Sequence, residues 1–163
     1  MKKILPFIIC VLLVGVSCTQ QSTELTDEQK ATIISEVGEH VDNLTSAAIQ
    51  LNFEGWVEYW SEDEFISVIS DINFYDNRSE WVDNVANEWS GAASRSYESI
   101  EKKITPLALD LALVTRTVNG SAVLKSEESI IFTYQGSSVW KKEAVGWKII
   151  HLHESVQTKA IEE

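Results

Sequence analysis

From residue 93 to residue 156 the chain reads as one strand after another, and that long alternation limits the folds open to it. "SRSYESIEKKITPLA" alternates, and "LDLALVTRTV" is a dense run of β-formers. "IIFTYQGSSVWKK" and "GWKIIHLHESV" predict a last hairpin across "EAVG". Asn119–Gly120 predicts a turn after the second of these runs, and "VLKSEES" beyond it fits either part of a hairpin or an excursion. Strands of this kind carry one apolar face each, and something must cover it.

Helices in the first half supply the cover. Ile33, Val37, Val41, Leu44, Ala48 and Leu51 recur at steps of four and three, which predicts one apolar stripe on a helix over residues 26–52. Thr26 or Asp27 can cap its start. Residues 52–60 predict a short second helix with Phe53, Trp56, Val57 and Trp60 facing inward. "EFISVIS" predicts a first strand over residues 64–70, and "DINFYDN" a turn-rich linker. Asn77, with Glu80 three later, has the pattern of a capping box. It opens a third helix with Trp81, Val82, Val85, Ala86 and Trp89 on its buried stripe and Gly91 as its stop. The expected class is α+β, with three N-terminal helices packed on an antiparallel sheet.

The first seventeen residues predict a secretory signal peptide. Lys2 and Lys3 precede an apolar run, residues 4–16, that is too short for a comfortable membrane span. The closing "GVSC" resembles a bacterial lipobox, which implies acylation of Cys18, although Gly15 stands where leucine is commoner. Residues 18–25 then read as a polar tether, residues 26–156 as one domain and residues 157–163 as a tail. The expected localisation is the bacterial cell envelope, lipid-anchored and facing the periplasm. Both cysteines, Cys10 and Cys18, precede the domain, so its stability must come from its core without disulfides.

Acidic residues outnumber basic ones by 25 to 13, for a formal charge of −12. Taking away Lys2 and Lys3 leaves −14. Such a chain has no electrostatic footprint for nucleic acid or for an anionic lipid surface. Membrane contact is expected through the acyl anchor only.

Three stretches carry a resemblance to a known superfamily. "NFEGWVEYWSEDEFISVI" looks like a helix turning into a first strand, "YDNRSEWVDNV" like a third helix entered through a turn, and "SSVWKKEAVGWKIIHLHES" like a final hairpin. Together they resemble the nuclear-transport-factor-two-like superfamily, also called SnoaL-like, over about residues 26–156. The resemblance implies a cone-shaped fold on a curved sheet with a pocket inside, and a possible homodimer through sheet faces. It does not give an activity, because the superfamily holds isomerases, cyclases, dehydratases, binding modules and assembly domains.

His151 and His153 share a strand face, a usable ligand geometry, but no spacing motif supplies a third ligand. Neither a metal nor another cofactor is expected, and the resemblance makes the pair a feature of the fold. Asp63, Glu64 and Asp71 read as solvated loop or cap residues, and Tyr59 makes no convincing partner for a carboxylate base. Arg116 is a charge within an apolar strand; by resemblance it matches a pocket arginine of the association domain of calcium/calmodulin-dependent kinase II. Glu154 takes the place of that domain's second arginine, and Ser138 of a third. Arg116 and Glu154 are therefore expected either to approach each other across the cavity or to form an exposed pair on the outer sheet face. Alternation puts Trp147, Ile149, His151 and His153 on one face of the last strand and Ile150, Leu152 and Glu154 on the other.

Of the six tryptophans, Trp56, Trp60, Trp81 and Trp89 lie on inner helical stripes, as core first and ligand wall second. The candidate pocket is thus Trp60, Trp81, Trp89, Arg116, Tyr134, His151 and Glu154, for a small apolar or mixed-polarity ligand. The leading expectation is non-catalytic binding or an accessory role. The alternatives are an isomerase- or cyclase-type enzyme using a pocket carboxylate with His151 or Tyr134, and an oligomerisation module. A carboxylate within reach of a roomy cavity would mark the enzyme.

Overall fold

The computed structural model describes residues 24–160. The proposed signal peptide, Cys18 and most of the tether lie outside the described residues. Helix α1 spans Asp27–Ile49. Thr26 opens it with a full capping box, its hydroxyl accepting from the Gln29 N–H while the Gln29 side chain accepts from the Thr26 N–H. Its stripe of Ile33, Val37, Val41, Leu44 and Ala48 is buried, chiefly against the sheet's far strand. Each large apolar side chain so buried contributes roughly 1.5–3 kcal/mol.

Helix α2, Phe53–Val57, is capped by Asn52 and buries Trp56. Ser61 Oγ then accepts from the Glu64 N–H, holding the chain in a turn, so strand β1 begins late, at Ser67–Ser70. The expected linker after it contains a three-residue strand, β2, Asn73–Tyr75, which pairs with β1. Helix α3, Arg78–Ser90, starts on Asn77, whose side chain accepts from the Glu80 N–H, and buries Trp81, Val85 and Trp89. Gly91 ends it in ordinary right-handed geometry, φ −84°, and the chain passes straight into a strand.

Four long strands follow: β3 Ala92–Ala108, β4 Leu111–Leu124, β5 Ser129–Glu143 and β6 Gly146–Ala160. The sheet order is β2-β1-β6-β5-β4-β3. The fold is the expected α+β cone, helices against a curved sheet. The sheet is mixed, however, because β1 runs parallel to β6. The connection from α2 forces this: Trp60 and Ile149 form a parallel bridge, and β1 continues along β6 from there. The last strand also runs four residues past the expected boundary at 156 and pairs with β5 throughout.

Asn119–Gly120 makes no turn; both residues lie inside β4. Tyr97 and Phe132, on the strands to either side, meet edge-to-face across Gly120, their centroids 5.8 Å apart. A Cβ at Gly120 would sit 2.8 Å from Phe132 Cζ and closer still to the Ser96 carbonyl. Glycine is there to let two rings cross the strand. The turn comes later, after Leu124, with Glu127 at φ 69°.

Candidate functional site

The inner sheet face and the three helices enclose a cavity of about 370 Å³, within the roughly 300–1,000 Å³ range of small-molecule sites. Its middle is a single row across four strands. Arg116 on β4 pairs with Gly136 on β5, Gly136 with Glu154 on β6, and Glu154 with Ser70 on β1. Two strand spacings put the Arg116 and Glu154 backbones about 10 Å apart. Tyr134, one inward position along β5, fills the space between. Its hydroxyl lies 2.5 Å from where a Gly136 Cβ would be, so glycine at 136 allows the phenol to lean over the strand.

Arg116 and Glu154 both line this cavity, and the Arg116 side chain turns inward to α1, although both residues also border the open groove on the other face of the sheet. They make no direct ion pair. Glu154 Oε1 accepts from Ser70 Oγ at 2.7 Å, and Arg116 Nη1 donates to Thr45 Oγ1 of α1 at 3.3 Å. The Arg116 guanidinium carbon also lies 4.9 Å from the Tyr134 ring centroid. Burial is the largest influence on Glu154, and Glu88 and Asp71 add repulsion. The Ser70 bond and the charge of Arg116 pull the other way and do not win, so its pKa is pushed up from 4.5 to about 7. Burial likewise pushes Tyr134 up to about 12, with Arg116 restraining the rise. Near neutral pH the row therefore holds a charged guanidinium, a neutral phenol and a carboxyl poised between its two forms.

Aromatic rings make the wall facing this row. Trp56 sits at their centre, 5.2 Å from Trp60, 6.2 Å from Trp81 and 5.6 Å from Trp89 between centroids. Trp60, Trp81 and Trp89 all line the cavity, so they are core and wall at once. The indole N–H groups of Trp60 and Trp81 have no acceptor among the described residues. Buried indoles usually find one.

His151 does not line the cavity. A β-bulge in β6 is the reason: Val139 pairs with His151 and Trp140 with Ile149, leaving Ile150 over. The extra residue shifts the alternation, so Trp147 and Ile149 share the inner face with Leu152 and Glu154. His151 falls on the other side, where Nδ1 lies 2.9 Å from the Ser67 carbonyl and 3.1 Å from its hydroxyl. His153 faces an open outer groove beside Ser137 and Ser155. Among the described residues no three His, Cys, Asp or Glu side chains gather as metal ligands would.

The family of SnoaL-like domains matches residues 37–159. The chain belongs to that family. Solved structures similar to this SnoaL-like domain cover most of it at low identity. One is a proposed scytalone dehydratase from Novosphingobium aromaticivorans, with TM-score 0.73 and 12% identity over 85% of this chain and 93% of that one. A proposed dehydratase of the same superfamily from Streptomyces avermitilis gives 0.68 and 17%, covering 77% and 97%. A hexachlorocyclohexane dehydrochlorinase from Novosphingobium barchaimii gives 0.66 and 12%, covering 83% and 94%. At such identities these likenesses speak for the fold alone. No curated protein sequence matches the chain significantly.

Three members of the site escaped the sequence reading of this SnoaL-like domain. Ser70 and Thr45 reach Glu154 and Arg116 only through tertiary contacts. Arg95 lines the cavity from β3; its one sequence signal is a positive charge in an alternating strand.

Proposed function

We propose that this domain binds a small, flat, mainly apolar molecule and moves a proton on it, with Glu154 as general base and then acid. One observation carries the reading: a carboxyl held at about 7 faces an aromatic cavity. A base poised near the working pH is what abstraction of a proton beside a carbonyl requires. The carbonyl would gain negative charge as the proton leaves. Tyr134, neutral and one position away, and Arg116, charged and across Gly136, are placed to stabilise it. Return of the proton to another carbon gives isomerisation; departure of a neighbouring group gives elimination. Similarity to structures described as dehydratases and a dehydrochlorinase supports this range without choosing within it.

The test uses 2-tetralone in deuterated buffer. The protein should accelerate deuterium uptake next to the carbonyl, with a rate that rises as pH passes through about 7, and Glu154→Gln should abolish the acceleration. Exchange no faster than buffer, or equal in the variant, removes the reading and leaves a binding module.

Delivery to the cell envelope on an acylated Cys18 belongs to the same proposal and rests on residues 1–18 of the sequence. Metabolic labelling with a fatty acid should mark the wild type and not Cys18→Ser; equal labelling of both would refute it.

A further inference from the structure

The cavity's unpartnered buried polar atoms are all donors. Among the described residues, the indole nitrogens of Trp60 and Trp81 and the Nε of Arg95 are buried, line the cavity and have no acceptor. A ligand that satisfies them must be rich in acceptors. Arg95 makes the stronger demand, because it carries a charge. Its guanidinium carbon lies 5.0 Å from the Trp89 ring centroid, and no ion pair joins it to a carboxylate among the described residues. Lack of acids cannot be the cause, since the chain has 25 of them to 13 bases. The two carboxylates lining the cavity are engaged elsewhere: Glu88 accepts from the Asn84 amide at 2.9 Å, and Glu154 accepts from Ser70.

Position separates Arg95 from the proton-transfer row. Arg95 pairs with Ala122, six residues along β4 from Arg116. At about 3.3 Å per residue the two rows lie roughly 20 Å apart along the strand. Between them, Tyr97 and Phe132 meet across Gly120 and make an apolar floor.

We propose that Arg95 is the anion-binding end of the cavity, and that the ligand is an elongated aromatic carboxylate. Its carboxylate meets the Arg95 guanidinium, its rings lie between Trp89 and the Tyr97–Phe132 pair, and its far end approaches Glu154. Only this last placement rests on the proton-transfer reading. Arginine suits the task because its planar fork matches a carboxylate, and desolvation beside Trp89 strengthens the bond.

Calorimetric titration with 2-naphthoate and its neutral isostere 2-naphthamide tests this. The wild type should bind the carboxylate at least about tenfold tighter than the amide, the scale of one hydrogen bond to a charged group. Arg95→Gln should erase that difference while leaving amide affinity within about twofold, and Arg95→Lys should restore part of it. Equal binding of the two probes, binding of neither, or equal weakening of both by Arg95→Gln would overturn the proposal. The 2-tetralone assay is read separately, on the same wild-type protein. Loss of 2-tetralone exchange with Arg95-dependent naphthoate binding therefore removes the enzyme and keeps the anion site; the reverse result does the opposite.

Discussion

Removing the charge of Glu154 should stabilise the ligand-free protein, and only above a defined pH. The carboxyl is held at about 7 in the folded protein against 4.5 in an ordinary environment. Between those values the folded state binds a proton that the unfolded state has released. Stability therefore falls as pH rises through this window, the reverse of an ion-paired carboxylate. At about 1.36 kcal/mol per pH unit, the full gap is worth roughly 3 kcal/mol. Because the group faces a cavity and keeps some contact with solvent, between half and all of that is expected. Glu154→Gln mimics the protonated form at every pH. Urea unfolding of both proteins from pH 4 to pH 8.5 supplies the test, and the difference between the two curves cancels every other titrating group. That difference should be near zero at the acid end and reach roughly 1.5–3 kcal/mol in favour of the variant above pH 7.5. A flat difference, or one favouring the wild type at high pH, would mean that Glu154 is solvated or directly ion-paired. The proton-transfer reading would then lose its base.

Further outcomes follow from the same geometry. Gly120→Ala should cost about 1–3 kcal/mol, read by urea unfolding, because its Cβ meets both Phe132 and a backbone carbonyl with no room to yield. His151→Ala should cost about 1 kcal/mol for its contacts with Ser67 and leave 2-naphthoate affinity unchanged, since the ring is outside the cavity. Glu36 accepts from Lys142 and from the Trp147 indole, and these bonds lower its pKa. A lowered carboxylate contributes stability above its ordinary pKa and loses it as pH falls. The deficit of Glu36→Gln should thus show at pH 7, shrink in thermal melts as pH falls below 4.5, and stay under about 1 kcal/mol because the pair is half-exposed.

Local patterns in the sequence settled the elements. The stripe from Ile33 to Ala48 could be buried only as a helix, Thr26 and Asn77 could start helices because their side chains satisfy free N–H groups, and the alternating second half could only be sheet. With the family signature in the last hairpin, Trp60, Trp81, Trp89, Arg116, Tyr134, His151 and Glu154 could be named as pocket candidates, but whether Arg116 and Glu154 faced the cavity or the outer sheet face stayed open in the sequence. Tertiary structure decided the rest. An alternating pattern has no memory of a bulge, so the extra residue at Ile150 put the histidines outside and Trp147 inside without leaving a mark in the sequence. Asn119–Gly120 looks the same as a turn or as a crossing point for two rings; only the neighbours Tyr97 and Phe132, twenty-odd and a dozen residues away along the chain, distinguish them. The chemistry is tertiary for the same reason. A glutamate becomes a base near neutral pH when burial outweighs one hydroxyl and one arginine, and those partners come from β1 and β4, far from Glu154 in sequence. Position along the chain determines which residue is present, but the environment that sets its pKa exists only once the sheet has closed.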